Sequence, residues 1–270
     1  QNIGSNRLDD ARFALNQLFT FAVFAGVLLG LIGYFLAPRI LSVLIQEPQV
    51  SREAGLYLGV VFLGLPTMVL PGLFYHAYSA TGNTVTPLLV NGVGILINTV
   101  LDPFLVLGWG PFPQMGILGA AYATVCSQAV AMCIFLLLFI RGKGVLRMDR
   151  SALRLHWGWM TKAMKIGLPA GIGQSTVAFG YVVMMWVIGR LANAEATLAG
   201  YGIADRIFGM IFIVTDSMGI GLTTMVGQAL GAGLKERAKE LMRKGLGAMF
   251  TILAVEATLI WLVRFPLISI

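Results

Sequence analysis

An all-α polytopic bundle of transmembrane helices is the fold class this sequence predicts, and three observations carry it. The 270 residues are 57% hydrophobic and only 11% charged, with a mean hydropathy of +0.83; soluble domains carry about 25% charged residues. The apolar residues gather into seven long runs, each long enough to cross a hydrocarbon core of about 30 Å as a helix. Membrane β-strands would be about half that length and strictly alternating. The 33 glycines fit the same class, because small residues let helix backbones approach closely in lipid.

The first run, 14–36, follows the polar opening QNIGSNRLDDAR and holds Gly26 and Gly30 at small-xxx-small spacing. The second, 54–78, repeats that spacing at Gly55 and Gly59. It ends in Tyr75, His76 and Tyr78, an aromatic group suited to the membrane interface. The third, 86–108, contains Asn98, Asp102 and Pro103. The fourth, 117–140, holds Cys126 and Cys133, which seven residues of helix separate by about 10 Å, beyond disulfide reach. Between 141 and 163, Arg and Lys mix with Leu, Met and Trp, as in a segment lying along the interface; His156 belongs to it. Three further runs follow at 164–189, 197–227 and 245–263.

Lys and Arg in the connections orient these runs. Residues 1–12, 79–85, 141–163 and 228–244, with Lys165, hold 14 of the 19. The connections 37–53, 109–116, 190–196 and 264–270 hold 4, and Arg206 lies within a run. The positive-inside rule places the first set in the cytoplasm. The net charge of +7 is then mostly topogenic, and no nucleic-acid partner is expected. A cysteine introduced at Gly144 should therefore react with an impermeant reagent only from the cytoplasm, and one at Gln114 only from outside. Equal labelling of both in intact cells would contradict the topology.

The opening QNIGSNRLDDAR and the later QALGAGLKERAK, from Gln228, align at an offset of 227 residues. Gln1/Gln228, Gly4/Gly231, Asp9/Glu236, Ala11/Ala238 and Arg12/Lys239 agree in type, and an apolar run follows each copy. Six runs separate the copies, so both face the same side. That is a parallel repeat, two lobes related by an axis along the membrane normal, as in secondary transporters. With six helices per lobe, residues 1–140 supply four helices of an N-terminal lobe, 141–163 the cytoplasmic linker, and 164–270 three helices of a C-terminal lobe. Two N-terminal and three C-terminal helices would be missing. This seven-helix piece, expressed alone, is expected to confer no efflux; dye accumulation against a gradient in vesicles would refute the fragment reading.

The chemistry concentrates at NTVLDPFLVLG, 98–108. An intramembrane carboxylate is expensive and marks a functional site by default. Asn98 and Asp102 are four apart and share a helix face. Pro103 has no N–H, which frees the carbonyl of Thr99 one turn back. Asp102 lies five residues from the outer end of its run, roughly 8 Å deep, and Thr124 lies at roughly 10 Å on the next helix. A carboxylate, an amide oxygen and a hydroxyl thus reach similar depth, a set of oxygens that suits Na⁺ and a carboxylate that equally accepts H⁺.

The run TGNTVTPLLVNGVGILINTVLDPFLVLGWGPFPQMGILGAAYAT (81–124), with KIGLPAGIGQS (165–175) and MVGQALGAGLKERA (225–238), resembles the multidrug and toxic compound extrusion (MATE) family. The resemblance covers essentially the whole chain. It implies a twelve-helix, two-lobe transporter, of which seven helices are present, exporting cationic, amphipathic compounds against Na⁺ or H⁺ influx. It also implies that Asn98, Asp102 and Thr124, with the carbonyl of Ala120, form the ion site, to which a further acid on the family's first helix is absent from this chain.

Other charges in the runs read as pairs. Arg206 and Glu256 both fall near mid-membrane, and Asp205 is an equally good partner for Arg206; Glu256 is also a candidate substrate contact. Asp216 sits near the cytoplasmic end. Glycines in GIGLTTMVGQALGAG lack a preceding strand and a following Gly-Lys-Ser/Thr, so no nucleotide loop is expected. No metal-spaced His/Cys cluster and no nucleophile–base pair point to an enzyme. The function expected is a cation-coupled antiporter exporting drugs or other organic compounds by alternating access. The alternative is a lipid or polysaccharide-precursor flippase of the same superfamily, which would need a basic cavity. The expected partners are a small cationic organic substrate and membrane lipids, with no cofactor or metal beyond the coupling Na⁺ or H⁺ at Asp102. The expected state is a monomer in the plasma membrane.

Overall fold

The computed structural model describes residues 1–44, 47–142, 146–148, 154–191 and 193–268. Among them all regular elements are α-helices. They fall into two compact units, Asn2–Leu155 and, together with Gln1, the residues from His156 onward.

The first unit holds α1 (Leu8–Leu44), α2 (Pro48–Leu63), α3 (Leu65–Ala80), α4 (Val85–Val106) and α5 (Ile117–Ile140). Asp9 and Asp10 in the first turn of α1 complement the positive end of its dipole. The apolar run 54–78, expected as one helix, is two. They are bent by 49° at Gly64, and only together are they long and apolar enough to cross a membrane. The cause is local: Pro66 has no N–H to continue the helical ladder and would clash with the carbonyl one turn back. Thr67 repairs the break, its amide and its hydroxyl both donating to the Gly64 carbonyl at 2.9 and 2.7 Å. Gly64 itself packs against Val125 of α5 with no room for a Cβ, so α5 approaches closely at the bend.

The glycines of α1 perform the packing their spacing predicts. Gly26 lies against Pro66, and Gly30 and Gly33 against Phe62, so α1 seats directly on the broken span. A core closes the other end of the unit. Phe74 is fully buried between Phe135 and Phe139, with ring centroids at 5.8 and 4.9 Å, and Tyr78 adds a contact to Phe139 at 4.8 Å. Ala11, Leu15 and Leu146 complete it. Two amides are buried beside this core, and Gln17 Nε2 donates to the Arg154 carbonyl at 2.7 Å, tying α1 to the segment that precedes α6.

The second unit holds α6 (Trp157–Ile188), α7 (Ala194–Gly231) and α8 (Lys235–Ile268). The segment expected to lie along the interface, 141–163, is helical in its last part. His156 is the N-cap of α6 and residues from Trp157 are already helical. Nothing from Trp157 to Ile166 breaks a helix, and Lys162 and Lys165 are exposed, free to reach polar surroundings from a helical backbone. Residues 143–145 and 149–153 of that segment, Gly144 included, lie outside the described residues. By length and composition, α1, α4, α5, α6, α7 and α8 are each able to cross a membrane, which makes six spans, or seven with the bent pair of α2 and α3 counted as one. The chain is an integral, multi-pass membrane protein.

Candidate functional site

The site is built on the hairpin of α4 and α5, and the connection between them is tight. Gly108, Gly110 and Gly116 take positive φ (76°, 72° and 57°), a conformation closed to most side chains. The loop folds back onto α4: Met115 N–H donates to the Leu105 carbonyl at 3.0 Å and Gly116 N–H to that of Val106 at 3.2 Å. Phe104 closes it with edge contacts to Trp109 and Phe112, at 6.4 and 6.2 Å.

Two glycines set the register of the pair. Gly119 of α5 packs onto the Leu105 carbonyl, and Gly94 of α4 lies against Ser127 and Ala131. Between these contacts each helix advances about three turns, which puts Thr124 at the level between Asn98 and Asp102. Gly94, Asn98, Asp102 and Leu105 follow at spacings of four, four and three, one stripe of α4. The depth match read from the sequence therefore has a structural basis in two backbone approaches.

The side chains carry the chemistry. Asp102 Oδ1 and Asn98 Nδ2 are shut away from solvent, and neither has a hydrogen-bond partner. On α5, Thr124 Oγ1 donates to the Ala120 carbonyl at 2.9 Å, and Ser127 Oγ donates to the Thr124 carbonyl at 2.9 Å. The first bond holds two further oxygens side by side. Among the described residues no hydrogen bond joins Asp102 or Asn98 to Thr124. A buried carboxylate oxygen without a donor is costly, and a cation or a proton is what relieves it. The residues present fit either ion.

The charges of the second unit are arranged differently from the pairs the sequence offered. Arg206 is exposed and forms no ion pair with Asp205 or Glu256. Asp205 instead accepts a hydrogen bond from the Tyr201 hydroxyl at 3.3 Å, one turn back on the same helix. Glu256 Oε2 is buried and has no hydrogen-bond partner. Asp216 is exposed. His76 is exposed and packs edge-on against Tyr75 at 5.5 Å, in keeping with an aromatic belt. Sequence reasoning counted Arg52 only as a topogenic charge and passed over Ser51; both line a cavity between α1, α2 and α5.

Comparison with known proteins is extensive. The MatE family model matches residues 1–104 and 169–270. The Bacillus subtilis protein named "Probable multidrug resistance protein YoeA" is 26% identical over 277 residues, covering 100% of this chain and 58% of its own length. The Thermotoga maritima protein named "Probable multidrug resistance protein NorM" is 29% identical over 265 residues, covering 96% of this chain and 56% of its own. Among solved structures, a MOP superfamily transporter from Pyrococcus furiosus superposes with a TM-score of 0.87 at 18% identity, over 98% of this chain and 58% of that one. The chain thus spans a little more than half the length of the relatives it matches.

Proposed function

The chain belongs to the MatE family, and from that premise we propose that it carries the cation-coupling site of an antiporter that exports small, cationic organic compounds by alternating access, driven by Na⁺ or H⁺. One observation carries the reading: the buried, unpartnered Asp102 Oδ1 beside the unpartnered Asn98 amide, level with Thr124. A bound ion satisfies that carboxylate, with the Thr124 hydroxyl and the Ala120 carbonyl as the neighbouring oxygens. When the ion leaves, the charge stays buried without a partner, a state expensive enough to need relief. Relief comes from opening the site to water or from a cationic substrate, and either one links ion release to rearrangement of the hairpin. That link is what antiport requires.

The family relationship supports a small organic substrate, because both relatives described above carry multidrug resistance in their names. Thr124→Ala tests the ion site. A hydroxyl is a ligand for a metal ion but does not titrate near neutral pH. Loss of one such ligand is expected to weaken Na⁺-driven dye export about tenfold, the equivalent of about 1.4 kcal/mol, and to leave H⁺-driven export near wild type. Equal losses under the two gradients would reduce Thr124 to a structural bond onto Ala120.

A further inference from the structure

We propose that α7 and α8 hold a second cation site, in which the Glu256 carboxylate, the Thr215 hydroxyl and the Ile211 carbonyl take a small monovalent cation, Na⁺ or H⁺. Glu256 has no part in the Asp102 site. Its Oε2 is shut away from solvent without a hydrogen-bond partner, and it forms no ion pair among the described residues. Leu29 stands at the repeat-equivalent position, so the first unit has no counterpart to this acid.

The packing of the helix pair decides what lies opposite this acid. α7 is the helix packed against α8, and a short turn at 232–234 joins them as a hairpin. Gly245 of α8 packs onto the Leu222 side chain, and Ala238 shares a small core with Leu222, Val226 and Ala229. Eleven residues further on each helix, about three turns, this register sets Glu256 level with Ile211. Burial follows the same faces. Gly245, Met249 and Glu256 on α8 are partly buried, as are Ile211, Thr215 and Met218 on α7. Their neighbours Val255, Ala257, Val214 and Asp216 are exposed.

The groups at that level are all acceptors. Thr215 Oγ1 donates to the Ile211 carbonyl at 3.1 Å, which commits its proton and leaves only lone pairs for α8. A helical side chain leans toward the N-terminus of its own helix, which carries the Glu256 carboxylate from the level of Ile211 toward Thr215. Oxygen therefore meets oxygen with no donor between. A cation placed there satisfies the buried carboxylate, and carboxylate, hydroxyl and carbonyl are oxygen ligands that Na⁺ takes. The charged side chains of α7 do not supply it. Asp216 is exposed and points about 100° away from Thr215, Asp205 is engaged by Tyr201, and Arg206 is exposed and about 140° from Ile211 around the helix.

The test is thermal unfolding of the purified transporter that carries this chain, with Asp102→Asn present throughout so that the outcome is independent of the Asp102 site. In one series Na⁺ replaces choline at constant ionic strength; in the other the pH falls from mildly alkaline to mildly acidic in choline. A ligand that binds only the folded state raises Tm. A saturable gain in Tm is expected in one of the two series, and Glu256→Gln should abolish it. With the site empty, in choline at alkaline pH, Glu256→Gln should be the more stable protein, because an amide replaces an unpartnered carboxylate. Thr215→Val should weaken the apparent affinity for the same ion about tenfold, and it reads the site should Glu256→Gln fail to fold. Asp216→Asn removes an exposed acid from the same helix and should leave that affinity unchanged. Several results would overturn the proposal: no gain in either series, equal gains with and without Glu256, unchanged affinity in Thr215→Val, or equal losses in Asp216→Asn and Glu256→Gln.

Discussion

Asp102→Asn is expected to bring gradient-driven export to background, a fall of about a hundredfold or more, under Na⁺ and H⁺ gradients alike. Folding and membrane insertion should be unaffected. The two side chains have nearly the same shape, and Asp102 Oδ1 makes no hydrogen bond whose loss could unfold the hairpin. Replacing a carboxylate that has one buried, unpartnered oxygen with an amide removes a desolvation cost, so the variant should be at least as stable as the parent. What it loses is the carboxylate that, in the proposed mechanism, holds the cation or the proton. Were Asp102 only a pin for the helix at Pro103, asparagine would serve as well and transport would persist.

Gly119→Val is expected to have the next largest effect, through structure rather than charge. Gly119 packs directly onto the Leu105 carbonyl, which is backbone and cannot swing aside. That carbonyl also accepts the Met115 N–H at 3.0 Å, so displacing it breaks the loop that ties α4 to α5. Overpacking of this kind costs about 3 kcal/mol. The variant should show a lower Tm and lose export under either ion, in contrast to Asp102→Asn, which should lose export at unchanged Tm. Gly119→Ala should lie between Gly119→Val and the parent. A Gly119→Val protein with parental Tm and export would show that the hairpin register is not held at this point.

Much of the architecture was legible because a bilayer imposes one dominant constraint. Every span must satisfy its backbone internally, so a long apolar run can only be a helix. The broken span was less visible. Averaged hydropathy over 54–78 is blind to Gly64 and Pro66, although those two residues are the local signal for the 49° bend. Asp102 and Asn98 stood out against an uncharged background, and their helical spacing placed them on one face. The bond from Thr124 to the Ala120 carbonyl was not legible. A helical threonine commonly bonds one turn back, and only the register set by Gly94 and Gly119 gives that bond a place beside Asp102. For Arg206 the sequence left two acids open, and proximity along the chain decided nothing. Asp205 is its immediate neighbour but points about 100° away around the helix and engages Tyr201 instead. Arg52 was hidden for a different reason. A charge in a connection counts toward topology, and only the folded structure shows that it also lines a half-open cavity.

The central claim is that Asp102 exchanges an inorganic cation for an organic one, and substrate-evoked ion flux tests it most directly. Proteoliposomes containing the transporter that carries this chain would be loaded with ²²Na⁺ in one series and with a trapped pH indicator in the other. A cationic dye would then be added outside with no other gradient present. The account predicts that the dye evokes flux of one of the two ions in the parent protein and none in Asp102→Asn. Dye-evoked flux of parental size in Asp102→Asn would contradict it.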